Sequence, residues 1–137
     1  PVLFVCENNL YSVYSPMNVR QPKDRTIKKL AEGHGINTAK IDGNDVEKIF
    51  QKANTAIDFV RKKSEPFFLE LSTYRWLEHC GPLYDNDIGY RKKEEFDYWK
   101  KKDPLKNIEK HLGKTKLKRM ENKIAEEIES ALRFAKI

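Results

Sequence analysis

The first residues of this chain that can do chemistry follow directly after an apolar segment. The strand-favouring run Val2–Cys6 stops at Glu7-Asn8-Asn9, so polar groups stand at the carboxyl end of a predicted strand. Asparagine oxygens and backbone carbonyls are hard ligands of the kind that Mg²⁺ and Ca²⁺ prefer. A tight turn here can aim two such oxygens at one ion, although a metal site needs a carboxylate and further oxygens from elsewhere. The same residues are typical of a simple turn, and the pattern alone leaves both interpretations open.

A second candidate group lies in the segment Thr73–Pro82, just after the third predicted strand. His79 can carry a proton near neutral pH or donate to a phosphate, and Arg75 can hold an anion in its fork of donors. A loop histidine can equally be simply solvated. His79 and the adjacent Cys80 are not expected to act as a catalytic pair, because such pairs meet through the fold rather than in sequence.

The elements that must position these residues alternate between strand and helix in the first half of the chain. Short apolar runs predict strands, and apolar residues at helical spacing predict helices. The predicted order is strand Val2–Cys6, helix Lys23–Glu32, strand Asn37–Ile41, a helix from Val46 to about Lys62, and strand Pro66–Thr73. This order predicts an α/β fold with a parallel sheet and crossover helices. The carboxyl ends of such strands face one crevice, where Asn9 and His79 are expected to meet.

Several local details of these elements are predicted as well. The first strand is expected to be buried on both faces. The segment Leu10–Gln21 has no helical period and is predicted to be a loop. Asn44 is expected to cap the helix that follows it, with Glu47 completing a capping box. Glu70 interrupts the third strand and is expected to pair with a cation that the sequence does not name.

The second half of the chain changes character after the third strand. Residues 74–91 lack periodicity and predict a long loop, and loops of this length are usually functional or disordered. Helices are predicted at Lys92–Lys101, Pro104–Leu112 and Leu117–Ala135. We therefore expect an α/β half-domain at 1–73, a loop beside the site at 74–91 and a helical tail at 92–137. The apolar stripe of the last helix packs either on its own domain or on a partner subunit.

The composition leaves the partner of this chain open. The 137 residues carry a formal net charge of +6, which suits an acidic partner or a phosphate-bearing ligand. Basic runs such as Arg61-Lys62-Lys63 fit solvated helix ends but can also track a nucleic-acid backbone, so a basic α/β nucleic-acid-binding module is the alternative function. The two cysteines lack a C-x-x-C spacing and predict reduced thiols in a cytoplasmic protein. No apolar run approaches the ~20 residues of a membrane span, so no membrane partner is expected.

Several of these segments together resemble a known family. Phe4–Asn9 followed by Tyr11 resembles the end of the thiamine-diphosphate motif, and the remaining segments follow in the family's order: Asp42-Gly43-Asn44-Asp45, Phe68–Arg75, His79 and Tyr90-Arg91. Together they are similar to the α subunit of the E1 component of 2-oxo acid dehydrogenase complexes of the pyruvate, acetoin and branched-chain type. The resemblance covers nearly the whole chain. It implies a partial thiamine-diphosphate-binding fold, with parallel strands and crossover helices, followed by a helical carboxy-terminal segment.

The resemblance implies an oxidoreductase that decarboxylates a 2-oxo acid with the help of thiamine diphosphate and Mg²⁺ and transfers the acyl group to the lipoyl domain of an acyltransferase. It also implies an E1 β-type subunit as partner in a homo- or hetero-oligomer, with neither nucleic acid nor membrane as a partner. The family's Gly-Asp-Gly upstream of the Asn pair is absent here, and a glutamate of the β subunit activates the cofactor's ring. Both cofactors therefore need residues missing from this chain, which we expect to be a carboxy-terminal piece that is inactive alone.

The resemblance also implies roles for individual residues. Asn9 would give its side-chain oxygen to the Mg²⁺ ion, and Tyr11 would give its backbone carbonyl. His79 would be the catalytic residue beside the cofactor. Together with Arg75, Tyr90 and Arg91, it would also bind the cofactor.

Overall fold

The structure, a computed structural model, describes residues 1–136 of the chain. Strands and helices both occur in its first half, and helices alone follow in its second half. The elements are β1 (Leu3–Asn8), β2 (Tyr11–Ser12), β3 (Ser15–Pro16), α1 (Met17–Arg20), α2 (Ile27–Gly33), β4 (Asn37–Asp42), α3 (Val46–Lys63), β5 (Phe67–Ser72), α4 (Lys93–Lys100), α5 (Pro104–Glu109) and α6 (Lys114–Ala135). A single 3₁₀ turn at Asn86–Ile88 interrupts the long segment between β5 and α4.

The main sheet has three parallel strands in the order β1-β5-β4. Its register places Asn8 and Asp42 opposite Ser72 of the central strand, so the carboxyl ends of all three strands lie at one edge. The prediction of an α/β fold with parallel strands, crossover helices and a helical carboxy-terminal segment is confirmed. The expectation that the first strand is buried on both faces is wrong for the described residues. β1 lies at the edge of this sheet, and Phe4 and Val5 are 47% and 55% exposed.

The core of the α/β part lies between the sheet and α3. Leu69 and Leu71 of β5 and Ala39 of β4 form its buried centre, and α3 contributes Ile49 and Ala53 to its margin. Burying a leucine or isoleucine side chain stabilises the fold by roughly 1.5–3 kcal/mol, and the smaller alanine side chains contribute less. The apolar residues of α3 recur at helical spacing, so they lie on one face of this long helix. That face packs toward the central strand, as the sequence predicts.

Three local predictions need correction. The segment Leu10–Gln21 is not a plain loop, because it folds into the β2–β3 hairpin and the short helix α1. Helix α2 begins at Ile27 rather than Lys23, because the Thr26 side chain accepts a hydrogen bond from the Lys29 backbone N–H and so caps the helix there.

The cap of α3 differs from the prediction in the same way. Asp45 is the N-cap residue, and its carboxylate accepts from the Lys48 backbone N–H at 3.1 Å. Asn44 is buried one residue earlier, where its backbone and side-chain N–H groups both donate to Asp42 Oδ1 at 2.9 Å. Asn44 and Asp45 are both residue types that can cap a helix. The Asn44 side chain bonds to Asp42 within the tight turn after β4, so the Asp45 side chain caps α3 instead.

A buried carboxylate connects three elements of this fold. Glu70 in β5 is fully buried, and it accepts hydrogen bonds from Asn8 Nδ2 of β1 at 2.8 Å, Lys40 Nζ of β4 at 2.8 Å and the backbone N–H of Lys28 in α2 at 3.0 Å. Burial by itself raises the pKa of Glu70, but the Lys40 and Asn8 donors outweigh it and leave the pKa below its usual value. The expected cation partner of Glu70 is therefore Lys40, and the prediction of such a pair is confirmed.

The second compact unit of the chain begins at Pro104, whereas the sheet belongs to the unit Pro1–Asp103. Within the second unit, α6 carries an apolar stripe in which Ile124 and Ile128 are 54% and 55% exposed. Among residues 1–136, no helix combines the length and apolarity that crossing a membrane requires.

Replacing Glu70 by Gln tests the buried carboxylate. Gln keeps the volume but removes the charge that the three donors stabilise, so we expect a loss of about 1–3 kcal/mol in the free energy of unfolding at neutral pH. Because the folded pKa of Glu70 lies below its unfolded value of about 4.3, its contribution is present above that pH and disappears as the pH falls through the folded pKa. In urea unfolding, the difference between Glu70→Gln and wild type should shrink in acid. A difference that stays constant with pH would contradict this prediction.

The glycine after β4 gives a second stability prediction. A Cβ at Gly43 would lie 2.9 Å from the Ser72 backbone oxygen and 3.2 Å from Leu71 Cβ, so Gly43→Ala should lower the free energy of unfolding by about 1–3 kcal/mol. The matched control is Gly33→Ala in α2, where a Cβ meets nothing within 4 Å. That change should stabilise the chain by roughly 0.4–1 kcal/mol, because Gly33 has no positive φ and alanine lowers the conformational entropy of the unfolded chain. Equal effects at both glycines in thermal unfolding would rule out the close approach at Gly43 as the cause.

Candidate functional site

The turn after β1 is held by its own asparagine side chains. Asn8 Oδ1 accepts from the Leu10 backbone N–H at 3.1 Å, and Asn9 Oδ1 accepts from the Tyr11 backbone N–H at 3.0 Å. Leu10 has a positive φ of 72°, a conformation that costs a non-glycine residue roughly 1–2 kcal/mol. The Leu10 carbonyl then accepts from the backbone N–H of Met17 at 2.9 Å, which joins the turn to α1. The turn is therefore strained, and side chains on both sides of Leu10 hold it in place.

One cavity of about 340 Å³ lies at this carboxyl edge of the sheet. Four of the predicted site residues line it, namely Asn9, Tyr11, Arg75 and His79. The expected convergence of the turn after the first strand with the loop after the third is therefore confirmed. The roles of these four residues toward a metal or a cofactor stay predictions.

Arg75 connects the two sides of the cavity. Its Nη1 donates to the Leu77 carbonyl at 2.8 Å, and its Nη2 donates to the Val13 carbonyl in the β2–β3 hairpin at 3.0 Å. Nη2 also donates to the Tyr90 hydroxyl at 3.1 Å, while the nearest Asp85 oxygen is 3.8 Å from Nη1. The guanidinium is thus fixed by neutral acceptors, with its charge only partly compensated, and such a group attracts an anion.

His79 lies on an exposed tip of the long loop. The tip is closed by Glu78, whose backbone N–H donates to the Leu83 carbonyl at 2.8 Å and whose carboxylate accepts from the Leu83 N–H at 3.2 Å. His79 and Cys80 are both exposed, and Cys80 is a free thiol. An exposed imidazole at a cavity rim is able to donate to a ligand or exchange a proton with it.

Tyr90 and Arg91 occupy a different position from the other predicted residues. Both line a second cavity of about 380 Å³, to which Tyr11 also contributes, and neither is among the residues that line the first cavity. The Arg91 guanidinium is buried and donates to Asp85 Oδ1, to the Arg75 carbonyl at 2.6 Å and to the Trp76 carbonyl. Arg91 therefore fixes the start of the loop in this structure. Its contact with a cofactor stays a prediction.

Asp85 is the carboxylate that organises this loop. It is buried, it pairs with Arg91, and its Oδ2 accepts from the Tyr90 hydroxyl at 2.8 Å. Burial, followed by this hydrogen bond, raises the pKa of Tyr90 to about 12. Sequence reasoning missed Asp85, because an aspartate in a loop with several polar residues gives no local signal of burial.

Glu95 in the first turn of α4 was also missed. Its two carboxylate oxygens accept from the Tyr11 hydroxyl at 3.0 and 2.8 Å. Burial, together with this carboxylate, raises the pKa of Tyr11. In sequence, Glu95 reads as an acidic residue that suits a helix N-terminus, and nothing local indicates a partner eighty-four positions away.

Within the part of the chain that the structure describes, no group of three or more His, Cys, Asp or Glu side chains is placed to hold a metal ion. The groups at the first cavity that suit a divalent ion are the Glu7 carboxylate, the Asn9 side-chain oxygen and backbone carbonyls of the turn. Such oxygens match Mg²⁺ in chemical type, and the remaining ligands of an octahedral ion must come from other molecules or other residues.

The whole chain is similar in sequence to proteins of one known family. The sequence model of the family described as dehydrogenase E1 component matches residues 1–137. The pyruvate dehydrogenase E1 component subunit alpha of Rickettsia felis is 33% identical over 141 residues, which cover 98% of this chain and 42% of that protein. The 2-oxoisovalerate dehydrogenase subunit alpha of Bacillus subtilis is 32% identical over 132 residues, covering 96% of this chain and 37% of that protein. The chain thus spans less than half the length of these relatives.

Replacing Asp85 by Asn tests the loop network. The change leaves the buried Arg91 guanidinium without its charge partner, and uncompensated buried charges are strongly destabilising. We expect the segment 74–91 to open more often, with protease cleavage there at least about tenfold faster, which corresponds to about 1.4 kcal/mol of local stability. The matched control is Asp87→Asn, because Asp87 is an exposed aspartate two residues further on. Equal cleavage rates for both variants would show that Asp85 does not hold the loop.

Proposed function

This chain belongs to the dehydrogenase E1 component family, and from that premise we propose that it acts in the α subunit of a thiamine-diphosphate-dependent 2-oxo acid dehydrogenase. The proposed reaction is the oxidative decarboxylation of a 2-oxo acid, with transfer of the acyl group to a lipoyl domain of an acyltransferase. The observation that carries the proposal is the convergence of Asn9, Tyr11, Arg75 and His79 on one cavity at the carboxyl edge of the sheet. Ligands of open parallel sheets bind at that edge.

The donor set of the cavity fits a magnesium-bound diphosphate. The Asn9 side-chain oxygen and the Tyr11 backbone carbonyl would hold Mg²⁺, which prefers hard oxygen ligands. Arg75 and His79 would face the phosphate oxygens as donors, and a diphosphate requires both a divalent ion and fixed donors around it. The carboxylate ligand of the metal and the group that activates the cofactor's ring would come from outside this chain. Alone, the chain is therefore proposed to be inactive.

The chemistry that thiamine diphosphate supplies when bound is carbanion stabilisation at its thiazolium ring. This chain's own residues would position it. The asparagine-held turn fixes the metal ligands, and Arg75 keeps the β2–β3 hairpin against the long loop. His79 is exposed at the cavity, where a ring nitrogen would be able to donate a proton to a ligand oxygen and take one back.

The proposed partner is an E1 β-type subunit in an oligomer. One observation supports it: the apolar stripe of α6 is half exposed at Ile124 and Ile128. Exposed apolar stripes of this kind mark contacts with other proteins. The terminal helix is therefore a proposed subunit contact.

The alternative of a nucleic-acid-binding module has weak support from this structure. Several lysines of the basic runs, which lie at 61–63, 91–93 and 100–102, already have partners at helix ends, either a carboxylate or an aromatic ring. These are the pairs Lys62–Asp58, Lys93–Asp97 and Lys102–Asp42, and the contact of Lys100 with the Trp76 ring. The pairing fits the interpretation of solvated helix ends better than a continuous phosphate-binding surface.

The proposal is tested by replacing Asn9 with Ala in the complete protein together with its partner subunit. Loss of the side-chain oxygen should weaken Mg²⁺-dependent binding of thiamine diphosphate by at least about tenfold, or ~1.4 kcal/mol, measured by calorimetry with MgCl₂ present. Asn54→Ala is the matched control, because Asn54 is an exposed asparagine on α3 outside the cavity lining. Unchanged affinity in the Asn9 variant would remove the metal role and with it the main support for this function.

A further inference from the structure

Tyr11 is held at both of its ends. Its backbone N–H donates to Asn9 Oδ1 at 3.0 Å, and its hydroxyl donates to both carboxylate oxygens of Glu95 at 3.0 and 2.8 Å. The two partners are separated widely in sequence, since Asn9 is in the turn after β1 and Glu95 is in α4. The residue whose carbonyl is the proposed metal ligand is therefore tied to a helix that follows the long loop.

The Tyr11 ring has little freedom between these two bonds. The ring forms T-shaped contacts with the rings of Tyr90, at a centroid distance of 5.3 Å, and of Tyr74, at 6.4 Å. A tyrosine side chain has only two rotatable angles, so fixing the ring and its hydroxyl restrains the position of the Tyr11 Cα. The hydroxyl bond to Glu95 therefore restrains the Tyr11 backbone in addition to its pairing with Pro16 in the β2–β3 hairpin.

Glu95 is itself well placed to act as a fixed anchor. Its neighbour Phe96 packs against the rings of Tyr74, Trp76 and Tyr84, with centroid distances of 5.9–6.4 Å. This packing holds the first turn of α4 against the loop. Since Glu95 is partly buried and accepts the Tyr11 hydroxyl with both oxygens, its carboxylate has a defined place rather than a solvated one.

We propose that Glu95 is a positioning residue for the metal-binding turn and acts through the Tyr11 hydroxyl to aim the Tyr11 carbonyl at the metal bound with the diphosphate. This inference rests on the proposed function, because it assigns an orienting partner to one of the proposed metal ligands. Partners that orient metal ligands typically change metal affinity by about 10–100-fold when they are removed. Glu95 thus sets the affinity for Mg²⁺, whereas a residue that only packs α4 would affect stability alone.

The test measures the Mg²⁺ dissociation constant of the complete protein with its partner subunit, by titrating MgCl₂ at saturating thiamine diphosphate and following heat. Glu95→Ala and Tyr11→Phe should each raise this constant by about tenfold or more, and the double variant should raise it no further, because both changes remove the same bond. Glu95→Gln keeps an acceptor for the hydroxyl and should stay within about threefold of wild type. The matched control is Glu94→Ala, which removes the exposed acidic neighbour in the same helical turn and should leave the constant unchanged.

Three outcomes overturn the inference. The first is an unchanged Mg²⁺ constant in Glu95→Ala accompanied by a lower melting temperature, which is the result of a packing role. The second is an additive effect in the double variant, which means that the two residues act separately. The third is an unchanged Mg²⁺ constant in Tyr11→Phe, which carries the same test if Glu95→Ala does not fold.

Asn9→Ala, measured in the same titration, separates this inference from the proposed function. A weakened Mg²⁺ affinity in Asn9→Ala together with wild-type affinity in Glu95→Ala overturns only the role of Glu95. Wild-type affinity in Asn9→Ala overturns the metal site itself, and the role of Glu95 with it.

Discussion

The fold and the site both depend on one buried negative charge. The Glu70 carboxylate has no access to water, and an uncompensated buried carboxylate costs several kcal/mol. It is stable only where three donors meet it, and these come from Asn8, Lys40 and the N-terminus of α2. These three hydrogen bonds hold β1 and β4 on either side of β5, and they hold α2 against the strand. They also fix Asn8, whose other side-chain atom begins the turn that carries Asn9 and Tyr11.

A second buried carboxylate organises the other half of the site. Asp85 pairs with Arg91 and accepts from Tyr90, and through them it holds the loop that carries Arg75 and His79. The cavity thus lies between two separately anchored segments, one set by the sheet and one by the loop. The link between them is direct, since Arg75 donates to the hairpin carbonyl of Val13. Misplacing either carboxylate would move one wall of the cavity relative to the other.

The sequence predicts well what depends on periodicity and poorly what depends on distant partners. The alternating strand and helix patterns predict the parallel sheet. Asn9 and Arg75 each follow the end of a strand, and because parallel strands share one carboxyl edge, the sequence also predicts that these two residues lie near each other. The exposure of Phe4 follows from the position of β1 at the sheet edge and from the packing of α2 and α3 mainly on β4 and β5, which no local pattern indicates. Asp85 and Glu95 find their partners through the tertiary fold, so their residue types and neighbours in sequence give no indication of their roles.

The kinds of donor in the cavity indicate how the proposed ligand would be recognised. Asn9 and the turn carbonyls are neutral oxygens, which compete weakly with water for a bare Mg²⁺ ion because this ion gives up its hydration shell reluctantly. Arg75, by contrast, is a cation whose charge is only partly compensated by Asp85 at 3.8 Å, and it would repel a free metal ion while attracting a diphosphate. A site of this composition suits a metal that arrives with its anion. The ion's charge would then be balanced by the phosphates together with the carboxylate ligand from outside this chain, while Asn9 and the turn carbonyls would contribute orientation rather than charge.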